Sequence, residues 1–342
     1  MTDLKSLLPD ELQSYMEELN EPKFRAKQVF SWLQKGVESF DEMSNISKPL
    51  RTKMAESGYI NTLRLLRKQT SRIDGTRKYL WELRDGNAVE TVLMRYKHGN
   101  SICISSQVGC RQGCAFCAST IGGLVRDLTA SEMLDEVLYT ERDSGERISN
   151  IVIMGIGEPL DNFDNVVRFL RLANSADGLN IGMRHITLST CGLTEKLNEL
   201  ADLDLQITLA VSLHAPDDET RSRLMPANRG RGIESVMRAC EDYFEKTGRR
   251  VTFEYAMIKD VNDSDAQADE LARLARRVGA HINLIPLNHV EEREFAPSTD
   301  ERMKAFCAIL DKKGANYTIR RKLGGDVDAS CGQLRRKREL NR

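Results

Sequence analysis

The sequence predicts an α/β fold: an open or incomplete parallel barrel, a partial (β/α)6 arrangement, preceded by a small helical module and a β-hairpin extension. Two observations carry this expectation. From about residue 100, seven short apolar or β-branched runs (SICIS, NIVIMG, HITLST, QITLAVSLH, VTFEYAMI, HINLIPL and NYTIRR) alternate with amphipathic segments such as LTASEMLDEVLYTERD and ADELARLARRVG. That alternation implies parallel strands with right-handed crossovers, and six units plus a terminal strand fall short of the eight that close a full barrel. In addition, small polar residues fall just after successive strands, where parallel barrels assemble their sites. A doubly wound sheet is the alternative architecture.

The elements follow in order. Residues 1–60 read as a helical accessory module, in which PKFRAKQVFSWLQKG (22–36) places Phe24, Val29, Phe30, Trp32 and Leu33 on a broad apolar stripe. Residues 61–98 alternate as strands through RKYLWELRDG and AVETVLMRY, with Asp85-Gly86 as the hairpin turn. Residues 99–322 hold the barrel, and residues 323–342 form a loop, GGDVDASCGQL, with a basic tail.

The net charge of −1 over 342 residues hides local basic zones: six Lys/Arg against one Asp in 64–78, and ten Lys/Arg against three Asp/Glu in 312–342. Such zones suit an anionic polymer, solvated faces being the plainer alternative. No apolar stretch of about 18 residues occurs, and the start, MTDLKSLLPDELQSYMEELN, is acidic and polar, so a cytoplasmic protein without membrane contact is expected. In that reducing setting, clustered cysteines more often bind metal or do redox chemistry than form structural disulfides.

In SQVGCRQGCAFCAST, Cys110, Cys114 and Cys117 form C-x3-C-x2-C directly after SICIS. Three thiolates in one tight loop can hold a [4Fe–4S] cluster by three irons and leave the fourth iron open to a small ligand. Zinc wants four ligands, usually as two pairs, and no second close pair of Cys or His follows. A zinc-stabilised RNA-binding module without catalysis is the competing class. Phe116 is placed to cover a cluster from water. The strand period of two puts Ile102 and Ile104 on one face and Ser101, Cys103 and Ser105 on the other, which turns Cys103 toward the barrel lumen.

The cysteine loop, with an aromatic before its last cysteine and on the first strand–helix loop of a partial barrel, resembles the radical S-adenosylmethionine (SAM) superfamily. The resemblance implies that the open iron takes the amino and carboxylate groups of SAM. NIVIMGIGEPL then offers Gly157 and Glu158 to the SAM ammonium, and Ser189, Ser212, Leu213, His214 and Asn288, at the ends of later strands, complete the expected cofactor contacts.

VETVLM, CISSQVGC, VGCRQGCAFC, MGIGEPLDN, LSTCG, SLHAP, RSRLMP, INLIPLN and DASCGQL occur in order along nearly the whole chain. Together they resemble the RlmN/Cfr family of radical SAM RNA methyltransferases, and the RlmN branch, which methylates adenosine C2, more than the Cfr branch, which methylates C8. The resemblance implies two SAM per turnover. It implies S-methylation of Cys331, a covalent RNA adduct through that sulfur, and release by Cys103 through a transient disulfide. It also implies Glu90 as proton acceptor on the adduct. The implied substrates are 23S rRNA and tRNA, the implied partners an electron donor and a thiol reductant, and the expected state a monomer. The one visible departure is Cys191 after Thr190, where related sequences often carry serine; a small residue in place of serine is the expected reading.

Overall fold

The computed structural model describes residues 1–97, 99–288, 290, 292–321 and 323–327. Cys331, Lys322 and the basic run 335–338 lie outside the described residues.

The N-terminal module is three helices, α1 (Pro9–Glu18), α2 (Phe24–Gln34) and α3 (Lys48–Ser57). Val29, Phe30 and Leu33 are buried, but Phe24 is 59% exposed under the guanidinium of Arg25, and Trp32 is half-buried. At 3.6 residues per turn Phe24 points almost opposite to the stripe formed by Ala26, Val29, Phe30 and Leu33. The expected five-residue face is therefore narrower than composition suggested. A parallel pairing of Thr2–Asp3 with Gly58–Tyr59 closes the module on itself, and the fully buried Lys5 ammonium ties it to the rest. Lys5 Nζ donates to Asp135 Oδ1 at 2.7 Å and to the Asn61 carbonyl at 2.9 Å.

A ten-stranded sheet forms the centre: β1 (Arg64–Thr70), β2 (Arg77–Glu82), β3 (Ala88–Tyr96), β4 (Gly99–Ile104), β5 (Ile148–Ile153), β6 (Ile186–Thr190), β7 (Thr208–Ser212), β8 (Thr252–Met257), β9 (His281–Pro286) and β10 (Tyr317–Ile319). Spatial order follows chain order, so β1 and β10 are the two edges and the sheet stays open. Every pairing from β4 to β10 is parallel. The extension pairs antiparallel, β1 with β2, β2 with β3 and β3 with β4. The expected hairpin thus gains a third strand and runs directly into the barrel sheet, turning at Gly86 with φ +82°.

Each parallel crossover carries helix: α4 (Ala130–Ser144), α5 (Phe163–Asn174), α6 (Thr194–Asp202), α7 (Asp218–Leu224) with α8 (Gly232–Thr247), α9 (Asp265–Arg277) and α10 (Asp300–Lys312). α4 starts at a capping box, Thr129 Oγ1 accepting from Glu132 N at 3.2 Å while Glu132 accepts from Thr129 N at 2.9 Å, and ends on left-handed Gly145. Because α4 lies between the sheet and the N-terminal module, even its acids Glu132, Asp135 and Glu136 are buried, and each is bonded. Asp135 meets Lys5, and Glu136 accepts from Thr91 Oγ1 at 2.6 Å and Ser105 N at 3.1 Å.

On β4, Ile102 and Ile104 join the main core, whereas Cys103 packs on the other face with Val92, Met94, Val152, Met154 and Leu323. The strand period read from SICIS is the one the fold uses.

Candidate active site

At the C-terminal ends of the parallel strands lies a cavity of about 260 Å³. Cys110, Cys114 and Cys117 line it together with Phe116, Gly157, Glu158, Ser189, Ser212 and His214. A shallower groove on the N-terminal module, about 560 Å³, is lined by residues such as Lys48, Arg51 and Arg84 and by none of the expected site residues.

The cysteine loop is held from several sides. Cys110 N donates to the Gly123 carbonyl at 3.0 Å, Ala115 N to the Leu224 carbonyl at 2.8 Å, and Cys117 N to the Cys114 carbonyl at 3.1 Å. Arg293 Nη2 donates to the Cys117 carbonyl at 3.0 Å and to Thr120 Oγ1 at 2.9 Å. Burial pushes the Cys110 thiol up to about 12 and the Cys114 thiol higher still, with neighbouring thiols adding to the effect. Iron must therefore displace their protons on binding. The donor set fits a cluster: three thiols of one loop face one cavity. Among the described residues no three His, Cys, Asp or Glu side chains converge on a single ion. A polynuclear cluster, bonded through three different irons, sets its ligands wider apart.

Glu158 is buried at the turn after β5. Its Oε1 accepts from Leu160 N at 3.0 Å and its Oε2 from Cys191 N at 2.7 Å, so backbone amides fix the carboxylate in place. Burial raises its pKa and these N–H groups oppose the rise. The glycines of the turn serve a purpose that the sequence did not indicate. A Cβ on Gly157, which has φ +111°, would meet Gln107 at 2.6 Å, and one on Gly155 would meet the Ile104 carbonyl at 2.6 Å. Their bareness lets the turn press against the end of β4.

His214 adopts a left-handed conformation, φ +55°, rare for a residue with a Cβ. The twist aims Nδ1 at Ala256 N, which donates to it at 3.0 Å, leaving the proton on Nε2 by inference. Burial first, and Arg221 second, hold the imidazole down to about 3, so the ring is neutral. Phe116 packs edge-on against it, ring centroids 4.9 Å apart.

Leu213 is wholly buried and donates its N–H to the Glu254 carbonyl at 3.1 Å, and Asn288 is exposed beyond β9; neither lines the cavity. Cys191 does line it, buried at 6% exposure, and burial with the adjacent Glu158 drives its thiol well above the ordinary range, which keeps it un-ionised and inert.

Glu90 sits on a strand whose alternating pattern suits one solvated face, yet it is buried. It is 3% exposed on β3, and its Oε2 lies 2.8 Å from Nζ of Lys78, itself completely buried. The sheet is covered on both faces there, which the alternating pattern of RKYLWEL did not reveal.

Three lining or supporting groups escaped sequence reasoning. Glu254, buried on β8 and accepting from Asn283 Nδ2 at 2.8 Å, was detectable as a carboxylate interrupting an apolar strand. Arg320 lines the cavity from just beyond β10 and read only as one of a basic cluster. Arg221, in RSRLMP, carried no signal at all, since a helical arginine is ordinarily exposed.

Residues 104–274 match the family model described as the radical SAM superfamily, and residues 2–60 match the ribosomal RNA large subunit methyltransferase N-terminal domain. A probable dual-specificity RNA methyltransferase RlmN from Lachnospira eligens is 54% identical, covering 98% of this chain and 97% of that protein. The protein of the same description from Clostridium novyi is 50% identical, covering 98% of each. The crystal structure of a radical SAM methyltransferase from Sphaerobacter thermophilus superposes with a TM-score of 0.92 at 41% identity, covering 97% of this chain and 99% of that one. With near-complete coverage at half identity, and with the cysteine loop, the glycine–glutamate turn and the strand-end residues disposed around one cavity, the chain belongs to the RlmN family of radical SAM RNA methyltransferases.

Proposed function

We propose that the protein methylates C2 of a specific adenosine in the peptidyl transferase region of 23S rRNA and of the adenosine next to the anticodon in tRNAs, acting as a cytoplasmic monomer. One observation supports this most directly: the cysteine cavity and the Cys103 pocket adjoin. Met154 lines the first and packs in the second, against which Leu323, eight residues before Cys331, also packs. The stem of the C-terminal segment is fastened there as well. Ser71 Oγ and Arg72 N donate to the Asp326 carboxylate at 2.6 and 2.8 Å, and Gly324 N donates to Asp74 at 2.8 Å.

Adenine C2 is an electron-poor carbon between two ring nitrogens and cannot act as nucleophile toward a methylsulfonium. When bound, the [4Fe–4S] cluster and SAM supply the radical chemistry that such a carbon needs. The chain's own residues do the rest. Cys110, Cys114 and Cys117 hold the cluster; Gly157, Glu158, Ser189, Ser212 and His214 contact SAM from the cavity wall, with Leu213 and Asn288 contributing from its margin; and Phe116 against His214 keeps water out. Cys331 carries the incoming carbon as a thioether and joins it to C2, which ties the base to the protein. Glu90, held in place by Lys78, takes the C2 proton. The Cys103 thiolate then attacks the Cys331 sulfur, so that an S–S bond forms as the S–C bond breaks; the freed methylene carbon keeps that electron pair and takes up a proton to become the methyl group, and the methylated base leaves. A thiol reductant reopens the disulfide. The helical module and the basic segments contact RNA phosphates, and the target base leaves its stack to be reached.

Chromatography and mass spectrometry of nucleosides from RNA treated with the reduced enzyme test the reading. Accumulation of 2-methyladenosine is expected. Accumulation of 8-methyladenosine would move the reaction to the other carbon, and zinc without acid-labile sulfide in anaerobically prepared protein would end the enzyme reading.

A further inference from the structure

Arg221 stands on α7, behind the cavity, and is 1% exposed. Its donors all go to neutral acceptors. Nη2 reaches the carbonyls of Cys191 at 2.7 Å and Ser212 at 3.2 Å, Nε the carbonyl of Leu213 at 3.2 Å, and Nη1 the Oδ1 of Asn228 at 2.6 Å. Among the described residues it makes no ion pair. Asp218, one turn earlier, spends its Oδ1 on Asn228 Nδ2 at 2.9 Å and Ile233 N at 2.8 Å. The field of Asp218 reaches Arg221, but that carboxylate is exposed and makes no direct contact with the guanidinium. A buried cation whose hydrogen bonds are satisfied but which has no anion in contact is costly, and such a charge is ordinarily compensated by one.

The anion the site is built to receive lies next to it. The last turn of α7 receives the cysteine loop directly, Leu224 O accepting from Ala115 N at 2.8 Å between Cys114 and Cys117. Cys191, whose carbonyl Arg221 holds, lines the same cavity as those cysteines. A [4Fe–4S] core in its oxidised 2+ state with three thiolates is a net anion, and it gains one further negative charge on reduction. The positive field of Arg221 already reaches the Cys114 thiol and favours its ionised form.

We propose that Arg221 is the counter-charge of the cluster and sets its reduction potential, favouring the more negative reduced state. The inference rests on Cys110, Cys114 and Cys117 binding that cluster. Arg221 is a positioning residue: it touches neither substrate nor SAM in this account, and acts through the charge it places behind the iron ligands. A purely structural role, clamping the ends of β6 and β7 through their carbonyls, predicts a different outcome.

The test compares Arg221→Met and Arg221→Lys in the anaerobically reconstituted full chain, by a redox titration of the cluster followed by electron paramagnetic resonance without SAM. Arg221→Met is expected to lower the ratio of reduced to oxidised cluster at a fixed potential at least tenfold, a fall of about 59 mV for one electron. Arg221→Lys, which keeps the charge and loses the fork of carbonyl contacts, is expected to stay within about threefold of the parent, since only charge sets the potential here. An unchanged midpoint in Arg221→Met, or an equal fall in both variants, overturns the proposal. Should Arg221→Met fail to hold the cluster, iron and sulfide content decides: loading in Arg221→Lys alone supports the counter-charge, and equal failure of both refutes it. A parent protein without acid-labile sulfide would instead remove the cluster reading itself, and the inference with it.

Discussion

On the antiparallel extension, four of the six cations that make residues 64–78 basic are met one by one. Arg64 pairs with Glu82, Lys68 with Asp143 at 2.5 Å, Arg77 with Glu146 at 3.2 Å and Lys78 with Glu90 at 2.8 Å. At the cavity at the ends of the parallel strands, Arg221 behind the wall is surrounded by carbonyls and an amide, and Glu158 in the wall by backbone N–H groups. The extension has many charges, most of them directly paired, whereas Arg221 and Glu158 are desolvated and their hydrogen bonds go to dipoles alone. Charge density along the chain therefore points away from the chemistry; desolvated charge points toward it.

The sharpest break of that contrast is Cys114→Ala. Losing a cluster ligand should cost more than the roughly 10–100-fold in metal affinity lost with an outer-shell partner. Iron and sulfide should fall to background, and SAM cleavage with them, as elemental analysis and product chromatography would show; retained cluster would mean that the cavity is not its site.

Next is Lys5→Met, which strips the buried partner of Asp135 and should cost about 3–5 kcal/mol in chemical denaturation. Burial already raises the Asp135 carboxyl to about 6, against Lys5 and Asn61. The folded state therefore holds its proton more tightly than the unfolded chain, and the deficit of the variant should shrink as pH falls from 7 to 5. A deficit that grows toward acid would reverse the assignment.

His214 gives a smaller effect of opposite sign. Its folded value near 3 lies below the unfolded value near 6.5, so only the unfolded chain takes up this proton as pH falls below 6.5. Stability should drop by about 1.4 kcal/mol per pH unit from that group, a slope absent in His214→Asn, which tolerates the left-handed backbone. Parallel denaturation curves at several pH values compare the two.

Smallest is Arg95→Ala on the extension. Its partly exposed pair with Glu146 should be worth no more than about 1 kcal/mol, with thermal melting as the check, because solvent screens it and Arg77 shares the same acid.

Much of this was legible in advance. The seven strands of the parallel sheet are those the apolar runs marked, because buried parallel strands need continuous β-branched sequence. The cysteine loop was legible because ligand spacing is local. Phe24 was misplaced because a list of apolar residues ignores their angular position, and Glu90 because burial of both sheet faces is not encoded in one strand's alternation.

The sequence by itself determined the kind of fold and singled out the proposed cluster cysteines and, through family likeness, the proposed pair Cys103 and Cys331, for each of these is written in spacing or residue type along one stretch of chain. Tertiary structure alone decided that Lys78 lies against Glu90, that Glu158 is gripped by amides from two segments, and that Arg221 is buried behind the cysteines. Such facts depend on which distant segments exclude water from a charge, and desolvation is a property of the packed molecule rather than of any stretch of its sequence.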